Sequence, residues 1–65
     1  MRMCISKLYV LENGEEKLLI EEVATLKVED GKYVAVDTEG TVHNLEEYEL
    51  FYIDFIGHKI VLRRR

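Results

Sequence analysis

The chain has 65 residues, a formal net charge of −4, one cysteine and no proline. This length predicts a single domain, residues 1–65, with a thin core, because a domain of about 60 residues buries only about 60% of its unfolded surface. One cysteine excludes a disulfide within the chain. A metal ion or a partner subunit is therefore the expected supplement to the core.

The free cysteine and the lack of an apolar leader predict a cytoplasmic protein. No stretch approaches the roughly 18 apolar residues that span a bilayer, so no membrane association is expected. Residues 1–58 carry five basic and thirteen acidic side chains, a net of −8, whereas residues 59–65 carry four basic ones. Most of this surface should repel nucleic acid, and the arginine run 63–65 is more typical of a solvated end than of a recognition element.

Glycines divide the chain into short segments. Asn13-Gly14 and Asp30-Gly31 are strong signals for type I′ hairpin turns, which need positive φ at both central residues. Glu39-Gly40 and Gly57-His58 are weaker turn signals.

The segments between the turns are rich in Val, Ile, Tyr and Phe, which favours strands. The predicted strands are residues 4–11, 17–23, 25–29, 33–38, 41–45, 48–56 and 59–63. Leu26 and Val28 are expected to point inward. Residues 15–28 also show helical spacing, but a helix there would run directly into the Asp30-Gly31 turn. The prediction is an all-β, partly closed small barrel (SH3/Sm-like) of five to seven short antiparallel strands.

Enzymatic chemistry is not predicted. The sequence has no nucleophile elbow, no phosphate-binding glycine loop and no HExxH pair. The carboxylate pairs, such as Glu21-Glu22, are expected to face water. His43 and His58 are expected to be exposed polar residues. The aromatic cluster of the sixth segment is expected to pack in the core or at a dimer interface, and its acidic neighbours argue against a stacking platform for nucleic acid.

The residues alone leave two interpretations of the role of Cys4 open. A free cysteine is usually a small buried hydrophobic residue. Near a chain start, however, a thiolate and backbone nitrogens form a strong N,S donor set. Two such sets from a symmetric dimer would supply four ligands, and square-planar geometry suits nickel(II) or copper(II).

The order of several short motifs resembles the CooT-like nickel-binding proteins. The chain starts Met3-Cys4-Ile-Ser-Lys-Leu-Tyr-Val-Leu, and a polar hairpin and the Glu21-Glu22-Val23 segment follow. Further on come Thr25-Leu-Lys-Val-Glu, a glycine turn and Tyr33-Val-Ala-Val. The closing stretch is Tyr52-Ile-Asp-Phe-Ile-Gly-His-Lys-Ile-Val-Leu. The resemblance covers nearly the whole chain.

This resemblance implies a barrel-like β fold, a homodimer and nickel held between subunits by the cysteine that follows the initiator methionine. Only Cys4 matches that position, so Cys4 is the predicted metal ligand. The implied role is nickel supply to carbon monoxide dehydrogenase, with a nickel enzyme or its maturation factors as partners. The family has also been classed as RNA-binding, so a small RNA-binding barrel is the alternative function.

One departure concerns the start of the chain. In the family the cysteine directly follows the initiator methionine, whereas here Met1-Arg2 precede Met3. If translation begins at Met3, removal of that methionine makes Cys4 the first residue and its amine a ligand. If translation begins at Met1, Cys4 is internal and contributes its thiolate and the backbone amides.

Overall fold

A computed structural model describes residues 5–65, which form six strands and contain no helix. The strands are β1 (Ser6–Glu12), β2 (Glu15–Glu29), β3 (Lys32–Asp37), β4 (Val42–Asn44), β5 (Tyr48–Asp54) and β6 (Lys59–Arg64). They form one sheet in the order β4-β3-β2-β1-β6-β5, which curls into a half barrel. The predicted all-β class is therefore confirmed.

Both strong turn predictions are confirmed. Asn13 and Gly14 have φ values of 53° and 78°, and Asp30 and Gly31 have values of 53° and 76°. Positive φ at both central positions is the type I′ geometry, whose twist matches that of the strands it joins. These turns connect β1 to β2 and β2 to β3.

The predicted second and third strands are one continuous strand, β2, rather than two. Its pairing changes at Ala24, which has no partner between the Val23–Asp37 and Thr25–Val36 pairs. A second irregularity lies opposite Lys7, where Ser6 pairs with Val23 but Leu8 pairs with Ile20. Extra residues of this kind bend a strand and increase its twist. They allow the amino-terminal part of β2 to pair with β1 and its carboxyl-terminal part to pair with β3.

The prediction of purely antiparallel strands is wrong for one pair. β1 and β6 run parallel, with Leu8 opposite Ile60 and Val10 opposite Leu62. Parallel neighbours cannot be joined by a tight turn, and here the intervening chain consists of β2 to β5. The parallel pair brings the first and last strands together at the middle of the sheet.

The core lies on the inner face of the curled sheet. It consists of Leu8, Val10, Ile20, Val23, Ala35, Leu45, Ile60 and Leu62, with Leu26, Tyr33 and Tyr48 packed against it. The inward prediction is confirmed for Leu26. It is wrong for Val28, which is 57% exposed because β2 extends past the core towards its hairpin turn.

Hydrogen bonds from Leu45 and Arg65 close one end of the half barrel. The amide of Leu45 donates to the carbonyl of Tyr33 at 2.9 Å. The Nε atom of Arg65 donates to the carbonyls of Glu46 and Tyr48, both at 3.1 Å, and its Nη2 atom donates to the carbonyl of Gly31. The bonds of Arg65 connect the end of β6 to the β2–β3 turn, to the β4–β5 loop and to the start of β5.

Replacing Leu62 by alanine should remove a large part of the stability. Leu62 is fully buried, and deletions of this kind cost about 2–5 kcal/mol through lost burial and the cavity left behind. Chemical denaturation of Leu62→Ala should show this loss. Leu18→Ala is the matched control, because Leu18 is 49% exposed and its truncation should cost clearly less. Equal losses in the two variants would contradict the core assignment.

Candidate functional site

The predicted metal ligand, Cys4, lies outside the described residues, and the description of the chain begins at its neighbour Ile5. Ile5 leads into β1, which lies between β2 and β6 in the sheet. Ser6 pairs with Val23 of β2, and the amide of Lys7 donates to the carbonyl of His58 at 2.9 Å. Ser6 and Lys7 are therefore held between the β5–β6 turn on one side and the bend of β2 on the other.

The acidic pair Glu21-Glu22 lies at the irregularity of β2 opposite Lys7. Both residues are exposed, as predicted. The carbonyl of Glu22 accepts the amide of Thr38 at 3.1 Å, and its carboxylate accepts the Thr38 hydroxyl at 2.7 Å. Glu21 and Glu22 border an open cleft between β2 and the end of β3. The cleft has a volume of about 290 Å³ and is lined by Ile20, Glu21, Glu22, Asp37, Thr38 and Glu39. Strong negative charge therefore lies close to the start of β1.

His43 is half-buried rather than exposed, contrary to the prediction. Its Nε2 atom lies 2.9 Å from Oδ2 of Asp37. Oδ1 of Asp37 accepts the amides of Glu39 and Thr41, both at 2.9 Å. The bond from His43, assisted by the amides, lowers the pKa of Asp37 below its ordinary value. Both carboxylate oxygens of Asp37 therefore take part in hydrogen bonds, and the Asp37–His43 pair stabilises the β3–β4 turn.

His58 is exposed, as predicted, and lies in the β5–β6 turn. The positive φ of that turn belongs to His58, at 54°, and not to Gly57. His43 lies on the edge strand β4, whereas His58 lies beside β1. Within residues 5–65, no group of three His, Cys, Asp or Glu side chains is placed to hold a metal ion.

A charged and aromatic cluster covers the outer face of the sheet. The Lys59 Nζ atom forms an ion pair with Glu16 and lies 5.2 Å and 5.9 Å from the ring centres of Tyr9 and Tyr52. The Tyr52 hydroxyl donates to Oε2 of Glu16 at 2.6 Å. Tyr9, Val61 and Tyr52 stand opposite one another on β1, β6 and β5, and Val61 is completely buried although it lies on the outer face.

The cluster shifts the protonation of its members. Hydrogen bonds from Lys59 and then Tyr52 lower the pKa of Glu16. The bond to Glu16 raises the pKa of Lys59 and also raises the pKa of Tyr52. The expected state at neutral pH is an ionised Glu16, a charged Lys59 and a neutral Tyr52. Sequence reasoning missed this cluster, because Glu16 and Tyr52 are 36 residues apart and no local pattern links them.

The arginines at the end of the chain have partners within the chain. Arg63 pairs with Glu49 at 2.9 Å, and Arg64 lies 3.7 Å from Glu12 and 3.8 Å from Glu47. Arg65 donates hydrogen bonds to the backbone carbonyls of Gly31, Glu46 and Tyr48. Contacts of this kind neutralise much of the positive charge that would attract a phosphate backbone.

The aromatic residues of β5 and of the turn that follows it lie in three different environments. Tyr48 packs against the core, in agreement with the prediction. Phe51 and Phe55 are 44% and 79% exposed, so core packing is wrong for them. Tyr52 is 36% exposed and belongs to the outer cluster. Sequence composition identifies an apolar strand but does not show which residues lie at the edge of the sheet.

Replacing Glu16 by glutamine should reduce stability in a pH-dependent way. Because the folded pKa of Glu16 is below its ordinary value of 4.5, its contribution is present above about pH 4.5 and is lost as the pH falls through the folded pKa. The melting temperature of Glu16→Gln should therefore be lower than that of the wild type at pH 7, and the difference should shrink in acid. Thermal melts between pH 3 and pH 7 measure this.

The neighbouring exposed residue provides the control for net charge. Glu15→Gln removes the same charge from the same strand, and its effect on the melting temperature should be smaller. A difference between wild type and Glu16→Gln that stays constant from pH 7 to pH 3 would contradict the role of the Glu16 carboxylate.

Comparisons with known proteins agree with this architecture. No helix within residues 5–65 is long and apolar enough to cross a bilayer. No curated protein matches the sequence. Among solved structures, a protein described as a CooT from Carboxydothermus hydrogenoformans is similar, with a TM-score of 0.83 at 18% identity over 95% of this chain and 98% of the other. The family described as CO dehydrogenase accessory protein CooT matches residues 3–63. Since that match spans nearly the whole sequence, the chain belongs to the CooT family of accessory proteins, which are not themselves enzymes.

Proposed function

We propose that this protein is a cytoplasmic accessory protein that carries nickel(II) between two copies of the chain, bound by the two Cys4 thiolates. Its role is to supply nickel to CO dehydrogenase or another nickel enzyme, directly or through maturation factors. The observation that carries the proposal is membership of a CO dehydrogenase accessory family over residues 3–63, a range that includes Cys4.

The chemistry of the ligand supports nickel as the cargo. Thiolate is a soft ligand and is deprotonated when it binds a metal. The chain has one cysteine, so two thiolates on one ion require two chains. Carboxylates such as those of the cleft between β2 and β3 are hard ligands that suit magnesium and calcium better. A thiolate together with backbone nitrogens forms a strong-field N,S donor set, and the square-planar geometry that two such sets supply suits nickel(II) or copper(II).

The described structure supports this site through its rigidity. Ile5 and Ser6 lead into the central strand, which hydrogen-bonds to β2 and β6. Ligands are most useful when rigid elements hold them in place. The negative charge of Glu21 and Glu22 lies close to this end of β1 and should raise the local concentration of cations.

The alternative function, RNA binding, stays a prediction. Arg63, Arg64 and Arg65 all contact acceptors of the same chain, and the remaining charge is strongly acidic. These observations favour the metal-carrier function over a nucleic-acid interface.

Titration with nickel(II) tests the proposal through the absorption band of thiolate-to-nickel charge transfer. The wild type should develop this band and saturate near half a nickel ion per chain, because two chains share one ion. Cys4→Ala should lose the band. A Cys4→Ala variant that keeps it would show that the cysteine is not the ligand.

A histidine variant provides the matched control. The carbonyl of His58 accepts the amide of Lys7 near the start of β1, and asparagine tolerates the positive φ of this position. His58→Asn should therefore keep both the fold and the nickel band. Loss of the band in this variant would place a histidine, rather than the cysteine pair alone, at the metal. Mass spectrometry of the native amino terminus would show whether the amine of Cys4 is free to bind.

A further inference from the structure

The turn between β1 and β2 carries the dipeptide Asn13-Gly14, and both residues are exposed. Asparagine is one of the chemically labile residues of proteins, and a glycine after it leaves the main chain open to attack because glycine has no Cβ. Apart from its two neighbours in the chain, no residue has an atom within 4 Å of the place where a Cβ of Gly14 would lie. The other asparagine, Asn44, precedes Leu45. Asn13 is therefore the candidate for a chemical modification.

The modification is deamidation through a cyclic imide. The main-chain nitrogen of Gly14 loses its proton to base and attacks Cγ of Asn13, so that a C–N bond forms and the side-chain nitrogen leaves as ammonia. A water molecule then opens the imide ring. Opening at the side-chain carbonyl gives aspartate, whereas opening at the main-chain carbonyl gives isoaspartate, in which the chain continues through the former side chain. Water and base are the only co-reactants.

The folded turn keeps the reacting atoms apart. Asn13 and Gly14 have φ values of 53° and 78°, the type I′ geometry. In this turn type the ψ angle of the first central residue is about +30°, which places the nitrogen of Gly14 on the opposite side of the Cα–C bond from Cβ of Asn13. The nitrogen reaches Cγ only after a large rotation about that bond. The turn prevents this rotation as long as Glu12 and Glu15 stay paired.

The end of the hairpin that must open lies outside the core. Glu15 is exposed, and the carboxylate of Glu12 lies 3.9 Å from Lys17 and 3.7 Å from Arg64. Ion pairs in water are weak, and a segment with few buried contacts opens at a low cost in free energy without unfolding the rest of the chain. The next position, Glu16, is anchored by the outer cluster, so the opening can end there.

We propose that Asn13 is a site of spontaneous deamidation and that local opening of the β1–β2 turn controls its rate. The inference is independent of the proposed nickel site. Every deamidation event requires the turn to open first, so the folded protein converts Asn13 more slowly than the unfolded chain does. Asn44 is the slower site, because Leu45 shields its own nitrogen and Oδ1 of Asn44 accepts the amide of Glu46 at 3.1 Å.

The two products have different effects on the hairpin. Aspartate fits, because Asp30 occupies the corresponding position of the β2–β3 turn with the same φ of 53°, and Gly31 follows it at 76°. The added carboxylate lies at an open cleft of about 490 Å³ that Asn13 lines together with Arg63 and Arg64. Isoaspartate instead lengthens the main chain of a two-residue loop, and the length of this loop fixes the register of β1 and β2. Aspartate therefore preserves the hairpin and isoaspartate disrupts it.

Peptide mapping of the full chain after incubation at mildly alkaline pH tests the inference. Cleavage after lysine separates residues 8–17, which contain Asn13, from residues 33–59, which contain Asn44. In the folded protein, residues 8–17 should gain the mass of an amide-to-acid conversion at least about tenfold faster than residues 33–59, because Gly14 has no Cβ. In urea, Asn13 should convert about tenfold faster again, because the opening of the turn no longer limits the reaction. Edman degradation, which stops at isoaspartate, separates the two products.

Asn13→Asp is the matched variant, because it carries one of the products and has no side-chain ammonia to lose. Its melting temperature should equal that of fresh wild type, whereas aged wild type rich in isoaspartate should melt at a lower temperature. Conversion of Asn13 no faster than that of Asn44 in the folded protein would overturn the modification site. Equal rates for Asn13 with and without urea would overturn control by the turn. An Asn13→Asp chain that melts like the isoaspartate form would overturn the assigned effects of the products.

Discussion

The parallel pairing of β1 with β6 is the constraint on which the rest of the structure depends. It places Leu8 opposite Ile60 and Val10 opposite Leu62, all of them buried. Because β1 also pairs with β2, the first strand holds the two halves of the sheet together. The same pairing sets the start of β1 beside the β5–β6 turn. A change that weakens this ladder would therefore affect the core and the candidate metal site together.

The two faces of the sheet have different roles. The inner face carries the aliphatic core and accounts for most of the stability that a chain of 65 residues can gain from burial. The outer face carries Lys59, Glu16 and two tyrosines over a buried valine. That cluster is partly exposed, and interactions of this kind are individually weak in water. Its ordered contacts nevertheless connect β2, β1, β6 and β5, four of the six strands of the sheet.

The residues that bear on the proposed carrier function lie at one end of the molecule. Cys4 precedes Ile5 in the sequence, and Ile5 leads into the part of β1 that lies beside the β5–β6 turn and near the acidic cleft. A metal carrier must bind its cargo firmly enough to hold it and must also release it. An ion shared by two chains couples release to separation of the subunits, because each chain alone contributes a single thiolate.

The sequence by itself determined the strand-rich class, the type I′ turns at Asn13-Gly14 and Asp30-Gly31, and the family, because these depend on local backbone preferences and on motif order. It also singled out Cys4, since a single cysteine is visible in any reading of the chain. The tertiary structure decided the parallel β1–β6 pair, the continuity of β2, the exposure of Val28 and Phe55, and the Glu16–Tyr52–Lys59 cluster. These features arise from contacts between residues far apart in sequence or from where a strand passes the limit of the core. Neither is encoded in the alternation of apolar and polar residues along a single segment.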